Sequence, residues 1–162
     1  MARHKPPVGS VFLIPLSDGG HAIGQVIAYE PAMLNSVSCI LTSLRAWAPG
    51  DSIPESAVIA SLFTTHDLLT KGRWEILGDA AIPITQADFP HEGLRSAGWV
   101  GAKMTGSKNV EEFASAWFGL SQWDDWADPN YLDRLLFRGV GRPASATFKK
   151  DQEAEQGVPP NA

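Results

Sequence analysis

Only one cysteine, Cys39, occurs in the 162-residue chain. A lone thiol excludes an internal disulfide and any zinc cage built on cysteines. Basic residues are also few: 13 Lys and Arg stand against 18 Asp and Glu, a net charge of −5. An acidic chain without a basic run suits nucleic acid poorly, because neutralising phosphates dominates that affinity. No apolar stretch approaches the roughly 18 residues a membrane span needs, so no membrane partner is expected. The opening Met1–Pro7 is basic but runs into Pro and Gly instead of a long apolar core, and no secretion signal is expected there. These absences point to a reduced, cytoplasmic domain. What is present, 44% hydrophobic residues at this length, suffices for one globular core.

The chain divides simply. Residues 1–8 are polar and Pro-containing and read as a flexible tail. Residues 151–162 have almost nothing to bury and read as disordered. One domain is expected over 9–148. Ser10 to Leu16 and His21 to Tyr29 read as strands joined by a tight turn at Ser17-Asp18-Gly19-Gly20. Pro15 places the first of these at an edge or near its own end. Val37–Leu44 and Ala57–Thr64 are runs of strand length, for which pattern alone leaves helix open. Thr65 to Gly72 suggests one or two helical turns, capped by Thr65 and closed by Gly72. Arg73 to Gly78 alternates like a half-buried strand. Residues 83–108 read as a long loop with a strand near Gly98–Lys103.

Two helices are predicted after that loop. Asn109 offers a cap, and Val110, Phe113, Ala114 and Trp117 fall on one apolar face ended by Gly119. Asp128-Pro129 offers a second start, with Tyr131, Leu132, Leu135 and Leu136 as its stripe up to Gly139. The fold class expected is α+β: an antiparallel sheet in the N-terminal half, open or curled into a partial small barrel, with two helices in the C-terminal part.

Catalytic patterns are scarce. No Gly-x-Ser-x-Gly turn occurs, and His4, His21, His66 and His91 show no zinc-ligand spacing. His66-Asp67 and His91-Glu92 are adjacent pairs whose side chains diverge, so no metal and no cofactor are expected. Cys39 has no basic neighbour to lower its pKa and reads as core. Gly139 to Pro143 and Thr105 to Lys108 resemble phosphate loops only in composition and read as turns. The densest chemistry lies from 111 to 133, where Glu111, Glu112, Asp124, Asp125, Asp128 and Asp133 occur without a Lys or Arg. Trp123 and Trp126 bracket two of these acids. Two readings fit: a solvated face whose rings pin the connector to the core, or a partner surface in which the rings anchor and the acids steer a basic partner. The partner-binding set on the second reading is Glu111, Glu112, Trp123, Asp124, Asp125, Trp126 and Asp128.

Two blocks carry a resemblance. Gly9 to Val26 has a Gly, a Val-Phe step, an apolar-Pro-Leu step, an Asp-Gly turn and a second strand containing Gly24. Leu69 to Gly78, followed by Ile82-Pro83, carries Gly72, Trp74 and Ile76. Both resemble segments of the immunity protein 26 family of bacterial polymorphic toxin systems. The resemblance implies a cytoplasmic protein that binds and neutralises a cognate toxin domain, with no small-molecule ligand expected. Many such toxins are nucleases, which tend to be basic, and the acidic charge suits such a target. Some proteins similar to this family carry a phosphotriesterase label, so a small hydrolase using His21, His66 or Cys39 is the enzymatic alternative. A structural or regulatory interaction module is the other. Gly24 in mid-strand implies a bulge or a close approach by another backbone, and Trp74 a core plug.

Overall fold

The computed structural model describes residues 4–151. The Asp-Gly turn forms as the sequence predicts. Asp18 Oδ1 accepts the Gly20 N–H at 2.8 Å, and Gly19 adopts φ = +82°, a region that favours glycine. Arg45 Nη2 clasps the same carboxylate, 2.9 Å from each oxygen. The turn joins β1 (Ser10–Pro15) to β2 (His21–Glu30) in an antiparallel pair running from Val11↔Gln25 to Pro15↔His21. Pro15 ends its strand, where a missing donor disturbs the ladder least.

β3 (Ser36–Thr42) pairs antiparallel with β2 and with β4 (Val58–Thr64), and the short β5 (Ile76–Asp79) pairs antiparallel with β1. The two-residue β6 (Met104–Thr105) runs parallel to β4. The order is β5-β1-β2-β3-β4-β6. The fold is α+β and the sheet is open: β5 and β6 lie at opposite edges, and the barrel alternative falls with that.

Both faces of the sheet are covered. Phe12, Ile14, Val26, Val37, Cys39 and Leu41 face the main core, together with α2 (Ser107–Trp117), Trp74 and Trp123. On the other face, Val11 and Ile23 pack with Trp47 and Ile53, and Ile27 and Ile40 pack with Val58 and Ile84. That double cover explains why β3 is buried along its whole length and reads as a continuous apolar run. Gly24 is not the bulge. The register shifts between Val26 and Ala28 instead. A Cβ on Gly24 would lie 2.6 Å from Phe12 Cζ and 3.2 Å from the Ile40 carbonyl oxygen, so the close approach is chiefly that of a ring.

Several boundaries differ from the expectation. Gly72 closes α1 (Asp67–Thr70) with φ = +81°, but His66 holds the cap position, and Thr65 Oγ1 donates to Asp67 Oδ1 at 2.6 Å. β5 begins at Ile76 because the chain is drawn inward at Trp74, whose N–H donates to Leu68 O at 3.1 Å. Positive φ at Gly98, Trp99 and Gly101 is incompatible with a strand there, so the strand forms at Met104–Thr105. α2 is capped by Gly106, and Asn109 sits inside its first turn.

The second helix is the main correction. Only a 3-10 turn at Leu132–Leu135 forms. Leu136 bridges Ala60 of β4, and the Phe137 N–H donates to Ile59 O at 2.7 Å. The backbone of β4 captures the chain before the apolar stripe can propagate as a helix.

Part of the N-terminal stretch read as a tail is held against β2. Pro6 is buried, Tyr29 Oη donates to Pro6 O at 2.7 Å, and Lys5 Nζ lies 5.2 Å from the Tyr29 ring centre. Residues 1–3 and, apart from Asp151, the C-terminal stretch 151–162 lie outside the described residues. No helix among the described residues is long and apolar enough to cross a membrane.

Candidate functional site

The acidic region is built from α2 and the connector behind it. Lys108 and Glu112, four residues apart, share one face of the helix. Gly119 reverses the chain with φ = +77°, and the Leu120 N–H returns to Ser115 O at 2.9 Å. Trp123 then plugs the core. Its ring is fully buried, its N–H donates to Thr147 O at 2.7 Å, and its Nε1 donates to Asp133 Oδ1 at 2.9 Å. Trp126 behaves differently: it is half-buried and packs against Tyr131 with ring centres 4.6 Å apart. Between helix and connector lies a cleft of about 310 Å³ whose lining includes Lys108, Glu112, Gln122, Asp125 and Trp126.

Cations from elsewhere in the chain reach the acids. Arg73 forks onto Glu111 at 2.7 and 3.0 Å, and Glu111 Oε1 also accepts Trp74 Nε1 at 3.1 Å. Asp124 Oδ1 accepts the Lys149 N–H at 3.0 Å, and Asp125 pairs with Lys149 Nζ at 3.1 Å. Asp128 pairs with Arg134 and accepts the Asn130 N–H at 2.9 Å. Arg142 makes a fork onto Asp133, 2.7 Å on each side. Glu112 makes no ion pair among the described residues.

The seven candidates therefore separate. Glu112, Asp125 and Trp126 share the cleft. Glu111, Asp124 and Asp128 brace the fold through their partners, and buried Trp123 offers no surface to a partner. Lys108, Asn109, Ser121 and Gln122 complete the cleft; the i, i+4 spacing of Lys108 and Glu112 is the one sequence signal that points to it. The Lys149 pair on Asp125 is exposed on both sides, and such pairs contribute only about 0–1 kcal/mol, so this carboxylate remains open to exchange.

Asp133 makes the network pH-dependent. The Arg142 guanidinium, with the Trp123 N–H, holds its carboxyl below the usual carboxylate range. A depressed folded pKa stabilises the fold above the unfolded value, near 3.9, and this stabilisation is lost as pH falls through the lower folded value. Asp133→Asn is expected to cost about 1 kcal/mol at neutral pH, allowing for the exposed Arg142. The variant and the parent should converge in strong acid. Urea midpoints across the acid range check this; a constant difference would place the loss in packing.

The other chemistry is dispersed. Among the described residues, no three of His, Cys, Asp and Glu gather as a metal site. His66 lies edge-on to Tyr29 at 6.4 Å, and His91 stacks on Phe63 at 5.9 Å. Cys39 is fully buried, and burial pushes its thiol up, which removes it as a nucleophile for the hydrolase alternative. Of the loops resembling phosphate cradles, Thr105 belongs to β6 and Ser107 opens α2, while Arg142 is spent on Asp133. Comparison with known proteins finds no matching family model, no matching curated protein and no matching solved structure.

Proposed function

We propose that this protein is a cytoplasmic immunity protein that binds and neutralises a cognate toxin domain of a bacterial polymorphic toxin system, by contact and without turnover. The two blocks that resemble that family support the reading. They meet in the fold: Phe12 of the first stacks on Trp74 of the second, with ring centres 5.2 Å apart and planes 4° apart. The observation that carries the binding site is the cleft that Glu112, Asp125 and half-buried Trp126 line together. An aromatic anchor in a cleft shared with acids suits a basic protein surface.

Charge reversal tests it. The tagged chain is used to capture its partner from native cells, and the partner's toxin domain is then produced alone. Co-expression of the chain is expected to relieve the growth arrest caused by that domain. Glu112→Lys with Asp125→Lys is expected to slow association at least tenfold and flatten its salt dependence, with thermal unfolding little changed. Failure to protect would reject the function. Protection with unchanged association would reject the cleft.

A further inference from the structure

A second cleft has the opposite character. The outer edge of β4 is covered in two places: β6 pairs at Phe63 and Thr64, and Leu136 bridges Ala60. Between them, Ser61 and Leu62 have no bridge partner on that side among the described residues. A cleft of about 370 Å³ opens there. Its apolar lining includes Leu62, Met104, Leu135 and Leu136, and its polar lining includes Lys103, Arg134 and His91. Among the described residues no Asp or Glu lines it, in a chain of net charge −5.

We infer that this cleft binds a small amphiphilic anion: a carboxylate or phosphate head on a short apolar body. The volume lies at the lower end of the range for small-molecule pockets, about 300–1,000 Å³, which fits a fragment-sized ligand. Apolar walls with a few convergent polar groups are the usual form of such sites. Lys103 makes no ion pair among the described residues, so its ammonium is available to a ligand. Arg134 is bonded to Asp128, but a guanidinium has five donors and an exposed pair leaves several unused. Asp88, whose carbonyl accepts Ser61 Oγ nearby at 3.4 Å, has its own carboxylate engaged by Arg138 at 3.0 Å and Thr85 at 3.2 Å. Burial and the neighbouring Lys103 push the His91 pKa down. The imidazole is then a neutral hydrogen-bonding group, and the attraction for an anion comes from Lys103 and Arg134. This inference is independent of toxin binding.

The test is an amide NMR titration of the full chain with sodium hexanoate, with 1-hexanol and hexylammonium chloride as probes of equal chain length. Hexyl phosphate separates a phosphate preference from a carboxylate one. Hexanoate or hexyl phosphate is expected to give saturable shifts at Ser61, His91, Lys103, Met104 and Tyr131. Hexanol should bind at least about tenfold more weakly and hexylammonium not at all. Lys103→Gln and Arg134→Gln, both at exposed positions, should each weaken the anion at least about fivefold, with the rest of the spectrum reporting an intact fold. The inference is overturned by the absence of saturable shifts at about 10 mM of either anion. Equal binding of hexanol, or unchanged affinity in both variants, would overturn it as well.

Discussion

Truncating Trp74 to alanine is expected to cost about 3–5 kcal/mol of folding stability, the range for large aromatic-to-alanine changes in a core. A domain of this size has about 5–15 kcal/mol in total. The indole is fully buried and lies flat on Phe12. Phe12 in turn covers Gly24, which has no side chain to keep the ring away. Removing the indole leaves Phe12 without its stacking partner and opens a void between β1 and α2. Its Nε1 also donates to Glu111, which Arg73 holds from the other side, so the plug ties the sheet to the helix. Trp74→Phe keeps a ring in the stack and loses the donor, and should cost less. Gly24→Ala attacks the same stack from below. Its Cβ must displace the Phe12 ring, at about 1–3 kcal/mol for overpacking. Urea unfolding followed by circular dichroism measures all three, and a W74A midpoint near that of the parent would refute the stack as a keystone.

That stack also marks how far the sequence could be read. Asp18-Gly19 announces a hairpin because few residue pairs tolerate the turn, and β1 and β2 follow at nearly the expected bounds. The size of Trp74 marks it as a plug, but its partner is hidden, since nothing local links residue 12 to residue 74. The failures share one cause. Tyr131, Leu132, Leu135 and Leu136 have helical spacing, yet unpaired backbone on β4 competes for Leu136 and Phe137, and no periodicity reports a distant strand edge. The acidic window misleads in the same way. Its cations, Arg73, Arg134, Arg142 and Lys149, all lie outside 111–133 in sequence and return to it in space. Local charge counts overstate a field that long-range pairing neutralises. Trp123 and Trp126 are near neighbours with similar surroundings in sequence. The Thr147 and Asp133 hydrogen bonds and the packing on Phe113 and Trp117 hold the first inward, leaving the second beside the cleft.

Trp126 is accordingly the residue whose loss should harm toxin binding most, on the proposed function. Trp126→Ala is expected to weaken the complex by at least 2 kcal/mol, the threshold of an interface hot spot, which is about thirtyfold in affinity. The loss should appear in the dissociation rate, because an anchor acts after contact is made, whereas Glu112 and Asp125 act on approach. The two sets of variants are thus separable by kinetics alone. Stability must be followed in parallel, since the ring also packs on Tyr131. Trp126→Phe controls for this by keeping an aromatic contact, and should recover the fold more fully than the affinity. Fast dissociation in Trp126→Ala, with slow association in the charge-reversed pair, would locate the toxin on the helix–connector cleft. Equal dissociation rates in Trp126→Ala and the parent would remove the anchor from the interface, whatever the fate of the charges.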